Sequence, residues 1–227
     1  MDKKRLILSI SVIAISLILF ITFAIIIYSN INEPTALDAS VRDLFYNTRG
    51  EKYGFAYWFN RIVTEFGNIY FIVVLMVAAL IYTRMDYRLF ILGFGILLEV
   101  GLNYVLKHTI NRERPFEELR WMVDETSSFP SGHSGAVGYL SFIIPFFFFD
   151  TDLKKLYKIL ISVGCGFIAL LVVISRLVLG MHYLTDVCAG LSIGILSAGI
   201  SMLLALFCKK YNILLKPLIN FKKKEED

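Results

Sequence analysis

The sequence predicts an all-α integral membrane protein built as a six-transmembrane-helix bundle. Hydrophobic residues make up 57% of the 227-residue chain, more than a soluble domain of this length usually contains. They are concentrated in runs of about 20 residues, the length that an α-helix needs to cross roughly 30 Å of hydrocarbon. The sequence shows no internal repeat, so we expect residues 1–227 to form a single membrane domain.

Six segments are apolar enough to form transmembrane helices. They cover residues 6–28, 67–83, 89–107, 131–149, 156–175 and 183–208. The first follows the charged start Met1–Arg5, but its apolar run is longer than that of a signal peptide, so we expect a retained anchor. The fourth reaches a spanning length when its helix begins at Ser131, directly after Pro130.

Basic residues are distributed unequally between the two sides of this bundle. Most of the 23 Lys and Arg residues lie in the N-terminus, in residues 84–88 and 154–158, and in the basic tail 209–227. Such segments face the cytoplasm in multi-pass proteins of the cell membrane. We therefore expect both termini to be cytoplasmic, with the tail lying on the anionic inner leaflet.

The remaining composition excludes several classes of protein. The net charge of +4 comes from residues at helix ends, so it does not indicate nucleic-acid binding. Cys165, Cys188 and Cys208 lie in or beside apolar segments without a CxxC spacing. We interpret them as packing residues, not as disulfide partners or metal ligands.

Two segments between the first and second spans are amphipathic. Their apolar residues recur at helical spacing, with Leu37, Val41, Leu44 and Phe45 in one segment and Phe55, Trp58 and Ile62 in the other. We therefore predict amphipathic interfacial helices within residues 29–66. They would either form a rim that guides a lipid into the site or pack over the bundle.

Side chains suited to catalysis are concentrated in three segments. These are Lys107–Pro115, Pro130–His133 and Ser175–Asp186. The end of span three, the start of span four and the connection from span five to span six all lie on one side of a six-span bundle. The sequence therefore predicts that the three segments form one pocket, and the charge distribution places it at the extracytoplasmic face.

The pocket gathers cations that would suit a phosphate group. Lys107 and Arg114 lie in its first segment and Arg176 in its third, with Arg112 as a possible fourth cation. A cluster of this kind at a membrane edge is costly unless an anion compensates it. The guanidinium group matches phosphate oxygens in geometry, and the ammonium group adds a point charge. Phosphate is therefore the expected anion.

The start of span four would add backbone donors to the same anion. The amides of Ser131, Gly132 and His133 lie at a helix N-terminus, which favours anions. Gly132 has no side chain and lets the backbone approach a ligand closely.

Two histidines supply candidate catalytic groups. His182 and Asp186 are four residues apart and would share one face of a helix. A carboxylate on one imidazole nitrogen fixes the tautomer and leaves the other nitrogen free to attack. His133, on the opposite side, would protonate the leaving oxygen.

An acidic residue lies well inside the third span. Glu99, Asn103 and Lys107 follow one another at four-residue spacing, so they form one stripe that ends at the pocket. We expect Glu99 to be buried and to support this helix, either through a plain interhelical hydrogen bond or through a link to the substrate. The acidic loop after this span has no metal-ligand spacing, and we predict no metal site.

At these residues the sequence resembles the type 2 phosphatidic acid phosphatase superfamily of membrane lipid phosphatases. The signature of that family is K-x6-RP, PSGH and SR-x5-H-x3-D. It is matched by Lys107, Arg114, Pro115, Pro130, Ser131, Gly132, His133, Ser175, Arg176, His182 and Asp186. The resemblance covers residues 107–186 directly, and the six-span layout extends it to most of the chain.

The resemblance implies a role for each matched residue. The histidine matching His182 attacks phosphorus to form a phosphohistidine, the aspartate matching Asp186 supports it, and the histidine matching His133 acts on the leaving group. The phosphate is held by residues matching Lys107, Arg114, Ser131, Gly132 and Arg176. Members of the family work without a metal or another cofactor, and their helical core is similar to that of vanadium-dependent haloperoxidases.

The motif identifies phosphate but not the lipid that carries it. A pocket at the outer leaflet favours undecaprenyl diphosphate, with phosphatidylglycerophosphate, phosphatidic acid and diacylglycerol pyrophosphate as alternatives. A phosphohistidine also permits phosphotransfer to another lipid. A lipid transporter fits less well, because the ionisable residues cluster at one surface instead of the midplane. The expected partners are the lipid substrate and the bilayer, with no obligate protein partner indicated.

Overall fold

A computed structural model describes residues 2–31, 33–83, 87–149, 151–211 and 213 of the chain. The described residues form α-helices and short 3-10 turns and contain no β-strand, which confirms the all-α class. The α-helices are α1 Lys3–Tyr28, α2 Ala36–Thr48, α3 Phe55–Thr64, α4 Ile69–Thr83, α5 Tyr87–Ile110, α6 Gly132–Phe148, α7 Lys155–Val178 and α8 Leu184–Lys210.

Four of these helices are long and apolar enough to cross a membrane. They are α1, α5 from Arg88 onward, α7 and α8. A fifth candidate is the pair Phe55–Gly67 and Ile69–Ala78, which is bent by 56°, while α6 has 17 residues. The chain is therefore a multi-pass membrane protein, and the count of six spans stays a prediction.

Each of the six predicted spans corresponds to a helix, although the boundaries differ. The second span begins at Ile69 and not at residue 67, because Asn68 has an extended backbone conformation after the 3-10 turn Glu65–Gly67. The third continues to Ile110, one turn beyond Lys107. Most of the predicted tail 209–227, apart from residues 209–211 and 213, lies outside the described residues.

Helix α8 is the most buried of the candidate spans and packs against α1, α5 and α6. Its approach to α6 depends on small residues, as membrane helix interfaces commonly do. A Cβ atom at Gly194 would lie 1.9 Å from the carbonyl oxygen of Gly135. At the pocket end, the amide of Ser131 donates to the carbonyl oxygen of Asp186 at 3.1 Å. This packing places the start of α6 directly beside the first turn of α8.

The two amphipathic segments are the helices α2 and α3. Helix α2 packs on α7 and α8, and α3 packs on α7. Phe55, Trp58 and Ile62 of α3 are 85%, 55% and 65% exposed, so this apolar stripe does not pack over the bundle. Contact between the stripe and lipid stays a prediction.

Candidate active site

The three polar segments of the sequence lie together in the folded chain. The Nζ atom of Lys107, near the end of α5, donates to the carbonyl oxygen of Ser127 in the loop before α6. From the same loop, Nη1 of Arg114 lies 3.3 Å from Nε2 of His182 and donates to the carbonyl oxygen of Met181 at 2.8 Å. The ends of α5 and α7 and the starts of α6 and α8 therefore surround one site.

His182 lies in the connection before α8 and is not part of that helix. Its Nδ1 atom is 2.8 Å from the carbonyl oxygen of Ser128 and 3.8 Å from Oδ2 of Asp186. A carbonyl oxygen only accepts, so Nδ1 carries the proton and Nε2 keeps its lone pair. Asp186 lies within ion-pair distance of the imidazole, as expected, but the hydrogen bond that determines the tautomer is to the Ser128 carbonyl.

The imidazole of His182 is held in its neutral form. Burial lowers the pKa of His182 well below its ordinary value of 6.5, and the positive charges of Arg114, Arg176 and Lys107 lower it further. A neutral imidazole with a free Nε2 lone pair can act as a nucleophile.

Asp186 occupies the third position of the first turn of α8. Its Oδ2 atom accepts the amide of the N-cap residue Tyr183 at 2.9 Å, which stabilises the start of the helix. Its Oδ1 atom accepts from Nη1 of Arg112 at 2.5 Å. Asp186 therefore stabilises the backbone that carries His182, with its own charge shared with Arg112.

Arg112 binds two carboxylates and is not grouped with the other three candidate cations. Its Nη1 atom donates to Asp186 and to Oγ1 of Thr185 at 2.8 Å, and Nη2 donates to Oδ2 of Asp38 at 2.9 Å. Burial lowers the pKa of Arg112, but the carboxylates of Asp186 and Asp38 outweigh that effect and raise it. The prediction that Arg112 is a fourth cation for phosphate is therefore wrong, because both of its terminal nitrogens are occupied by Asp186, Thr185 and Asp38.

Lys107, Arg114 and Arg176 remain as the cations of the pocket. Arg114 is paired with Asp124 of the acidic loop, its Nη2 atom 2.7 Å from Oδ2. Arg176 is 2% exposed and donates from Nη1 to Oγ1 of Thr64 at 3.0 Å. Its Nε atom has no partner within the described part of the chain. Positive charge therefore exceeds negative charge around Nε2 of His182, as an anion site requires.

The start of α6 borders the same site, because the amide of Ser131 donates to the carbonyl oxygen of Asp186. Ser131 is the N-cap of this helix, and its hydroxyl accepts from the amide of Ser134 at 3.4 Å. Gly132 faces Asn103, whose amide oxygen would lie 3.6 Å from a Cβ atom at that position. The carbonyl of His133 is packed against Gly67. This brings the second candidate histidine beneath the 3-10 turn that follows α3.

The residues expected to support the site, Glu99, Asn103 and Ser175, do not contact the cations in the same way. Glu99 is buried as expected, beside Gly135, and neither its Oε1 atom nor Nδ2 of Asn103 has a hydrogen-bond partner among the described residues. Ser175 donates to the carbonyl oxygen of Val172 within its own helix at 2.6 Å. Its hydroxyl therefore satisfies the backbone of α7 and does not turn toward the cations.

Sequence reasoning missed Asp38 of α2, which accepts hydrogen bonds from Arg112 and Thr185. The pattern Thr35-x-x-Asp38 resembles a helix cap, and Oγ1 of Thr35 does accept the amide of Asp38 at 3.1 Å. A second signal was available, because Asp38, Val41 and Phe45 share one helical face. An acid on the face that packs inward indicates a buried partner.

The site shows no cluster of metal ligands. No group of three or more His, Cys, Asp or Glu side chains is placed to hold an ion anywhere in the described ranges. The expectation of a reaction without metal stays a prediction, to be tested with chelators.

The chain is similar to known proteins in sequence and in fold. The sequence model of the PAP2 superfamily matches residues 88–210. Phosphatidylglycerophosphatase B of Bacillus subtilis (strain 168) is 36% identical in an alignment 149 residues long, and the match covers 61% of this chain and 71% of that protein.

Two solved structures share the fold. The crystal structure of a transmembrane PAP2-type phosphatidylglycerolphosphate phosphatase from Bacillus subtilis has a TM-score of 0.68 and 26% identity, and it covers 90% of this chain and 98% of its own. Aquifex aeolicus LpxE has a TM-score of 0.63 and 24% identity over 76% of this chain and 98% of its own, a likeness in fold alone. Since the family model covers more than half of the sequence, including all three polar segments, this chain belongs to the PAP2 superfamily.

Proposed function

We propose that this chain hydrolyses the phosphate ester of a membrane lipid by way of a phosphohistidine on His182. Membership of the family makes it a lipid phosphatase. The observation that carries the assignment of His182 is the pair of contacts on its ring. Nδ1 faces the Ser128 carbonyl, and Nε2 faces the guanidinium of Arg114.

The proposed reaction begins with attack of Nε2 on phosphorus. The bond from phosphorus to the lipid oxygen breaks, and His133 donates a proton to that oxygen. Lys107, Arg114 and Arg176, with the amides at the start of α6, stabilise the charge on the other phosphate oxygens. Water then attacks the phosphohistidine, His133 takes its proton, and inorganic phosphate is released.

Phosphatidylglycerophosphate is the substrate that we propose first. The curated relative at 36% identity and the solved structure at 26% identity are both named for that activity. Undecaprenyl diphosphate, which the sequence favoured, is not specifically supported by these relatives. It stays as the second candidate, because the charge distribution favours a pocket at the outer leaflet with both termini in the cytoplasm.

The test is phosphate release by the purified full-length chain in detergent. Phosphatidylglycerophosphate, phosphatidic acid, diacylglycerol pyrophosphate and undecaprenyl diphosphate are compared at equal surface concentration. We expect the highest kcat/KM with phosphatidylglycerophosphate, no loss in EDTA, and inhibition by vanadate. A clear preference for undecaprenyl diphosphate would replace the first substrate by the second, and no phosphate release from any lipid would overturn the proposal.

Two further measurements separate the alternatives. A phosphotransferase would yield a phosphorylated second lipid in place of inorganic phosphate when an acceptor lipid is added.

The side of the membrane that the pocket faces is tested by cysteine labelling. Single cysteines are placed in the loop 113–126 of a chain in which Cys165, Cys188 and Cys208 are replaced. They should react with an impermeant reagent in intact cells. Reaction only after permeabilisation would place the pocket on the cytoplasmic side.

A further inference from the structure

Asp38 is a buried acid in an otherwise peripheral helix. Helix α2 lies in the connection between the first two predicted spans and outside residues 88–210, which the family model matches. Its other acid, Asp43, pairs with Arg42 at the surface, whereas Asp38 has an exposed fraction of 0%. Burying a carboxylate costs free energy unless charge and hydrogen bonds compensate it.

Both oxygens of Asp38 are engaged by the active-site region. Oδ1 accepts the amide of Thr185 at 2.9 Å, and Oδ2 accepts from the hydroxyl of Thr185 at 2.8 Å and from Nη2 of Arg112 at 2.9 Å. Thr185 belongs to the first turn of α8, where a carboxylate also interacts favourably with the free amides. Asp38 thus joins α2, the loop after α5 and the start of α8.

This linkage reaches the candidate nucleophile through Asp186. Arg112 holds Asp38 with one terminal nitrogen and Asp186 with the other. The second oxygen of Asp186 fixes the amide of Tyr183, the neighbour of His182, and lies 3.8 Å from Nδ1 of His182.

We propose that Asp38 is a positioning residue for the phosphatase reaction, acting on His182 through Arg112, Thr185 and Asp186; the inference rests on the proposed function. Two carboxylates share one guanidinium, so Asp186 keeps negative charge toward an imidazole that becomes cationic as it bonds to phosphorus. Without Asp38, Asp186 alone compensates the charge of Arg112. The negative charge of Asp186 is then no longer available to stabilise the cationic imidazole.

The charge effect has a defined sign. The ionisable groups around His182 are Lys107 of α5, Arg114 of the following loop, His133 of α6, Arg176 of α7 and Asp186 of α8. All except Asp186 are basic. Removing the negative charge of Asp38 therefore makes the surroundings more positive and moves protonation of His182 to lower pH.

The experiment compares Asp38→Asn with Asp43→Asn in the full-length chain. Asparagine preserves the size of the side chain and one acceptor oxygen, and Asp43 lies on the same helix at the surface. For Asp38→Asn we expect kcat to fall at least about tenfold, KM and competitive inhibition by inorganic phosphate to stay within about threefold, and the acid limb of kcat/KM to move to lower pH. Asp43→Asn should match the wild type in all of them.

A second variant separates positioning from folding. Asp38→Glu keeps the charge. It should recover part of kcat and reverse part of the shift of the acid limb. Equal losses of kcat and of inorganic-phosphate binding in Asp38→Asn would show a folding defect and overturn the inference, as would a kcat within twofold of the wild type. Failure of the wild type to release phosphate would overturn the proposed function itself, which is a distinguishable outcome.

Discussion

The carbonyl oxygen of Ser128 lies 2.8 Å from Nδ1 of His182 and closer to it than the carboxylate of Asp186. A neutral backbone group therefore orients the ring, and the charge of Asp186 acts from a longer distance. Ser128 therefore determines the tautomer of the candidate nucleophile, and Asp186 is the group that would stabilise its charged form.

Replacing His182 should remove the nucleophile. His182→Asn is expected to lower kcat by at least about 10³-fold, because water must then attack the lipid phosphate directly. The matched control is His108→Asn, since the exposed ring of His108 contacts Tyr104 of its own helix, at the carbonyl oxygen and at the aromatic ring. Phosphate release measures both variants, and activity of His182→Asn within tenfold of the wild type would refute the assignment.

The acid limb of kcat/KM should lie well below pH 6.5. Burial and the surrounding cations lower the pKa of His182, so its imidazole stays neutral and reactive as the pH falls toward that lower value. Activity is lost only when His182 is protonated. The phosphate of the substrate also titrates near pH 6. Its pKa is therefore measured by phosphorus NMR in the same micelles, and the pH profile of kcat/KM is corrected for the ionisation of the substrate. An enzyme limb at 6.5 or above would contradict this prediction.

The two neighbouring arginines should differ in their kinetic effects. Arg114→Gln removes a cation that faces Nε2 of His182 and should raise KM and the vanadate inhibition constant by at least about tenfold. Arg112→Gln breaks a buried link between Asp38 and Asp186 and should lower kcat and the unfolding temperature, with the smaller change in KM. Steady-state kinetics and thermal unfolding of both variants check this contrast, and a larger rise in KM for Arg112→Gln would reverse the two assignments.

The contact between α6 and α8 should tolerate no added side chain. Gly194→Ala places a Cβ atom 1.9 Å from the carbonyl oxygen of Gly135, so we expect a loss of about 1–3 kcal/mol in stability. Gly164→Ala is the control, because a Cβ atom there has nothing within 4 Å. Thermal unfolding in detergent should show a lower temperature for the first variant only. Equal unfolding temperatures would mean that the helices separate at little cost.

The network around Arg112 spans parts of the chain that no local pattern connects. Arg112 and Asp38 are separated by 74 residues, and so are Arg112 and Asp186. The motif K-x6-RP indicated that Arg114 matters, yet Arg112, two positions earlier, had the same chemistry and no feature to distinguish it. Which arginine lies beside His182 depended on where the acids of α2 and α8 came to lie.

The sequence by itself determined the membrane class, the approximate position of each helix and the residues of the three polar segments. Hydrophobic length and helical periodicity are local properties, so a single chain reveals them. The tertiary structure decided that Ser128 orients His182, that Asp124 pairs with Arg114, and that Asp38 joins the site. These are contacts between distant segments, and they depend on how closely the helices pack.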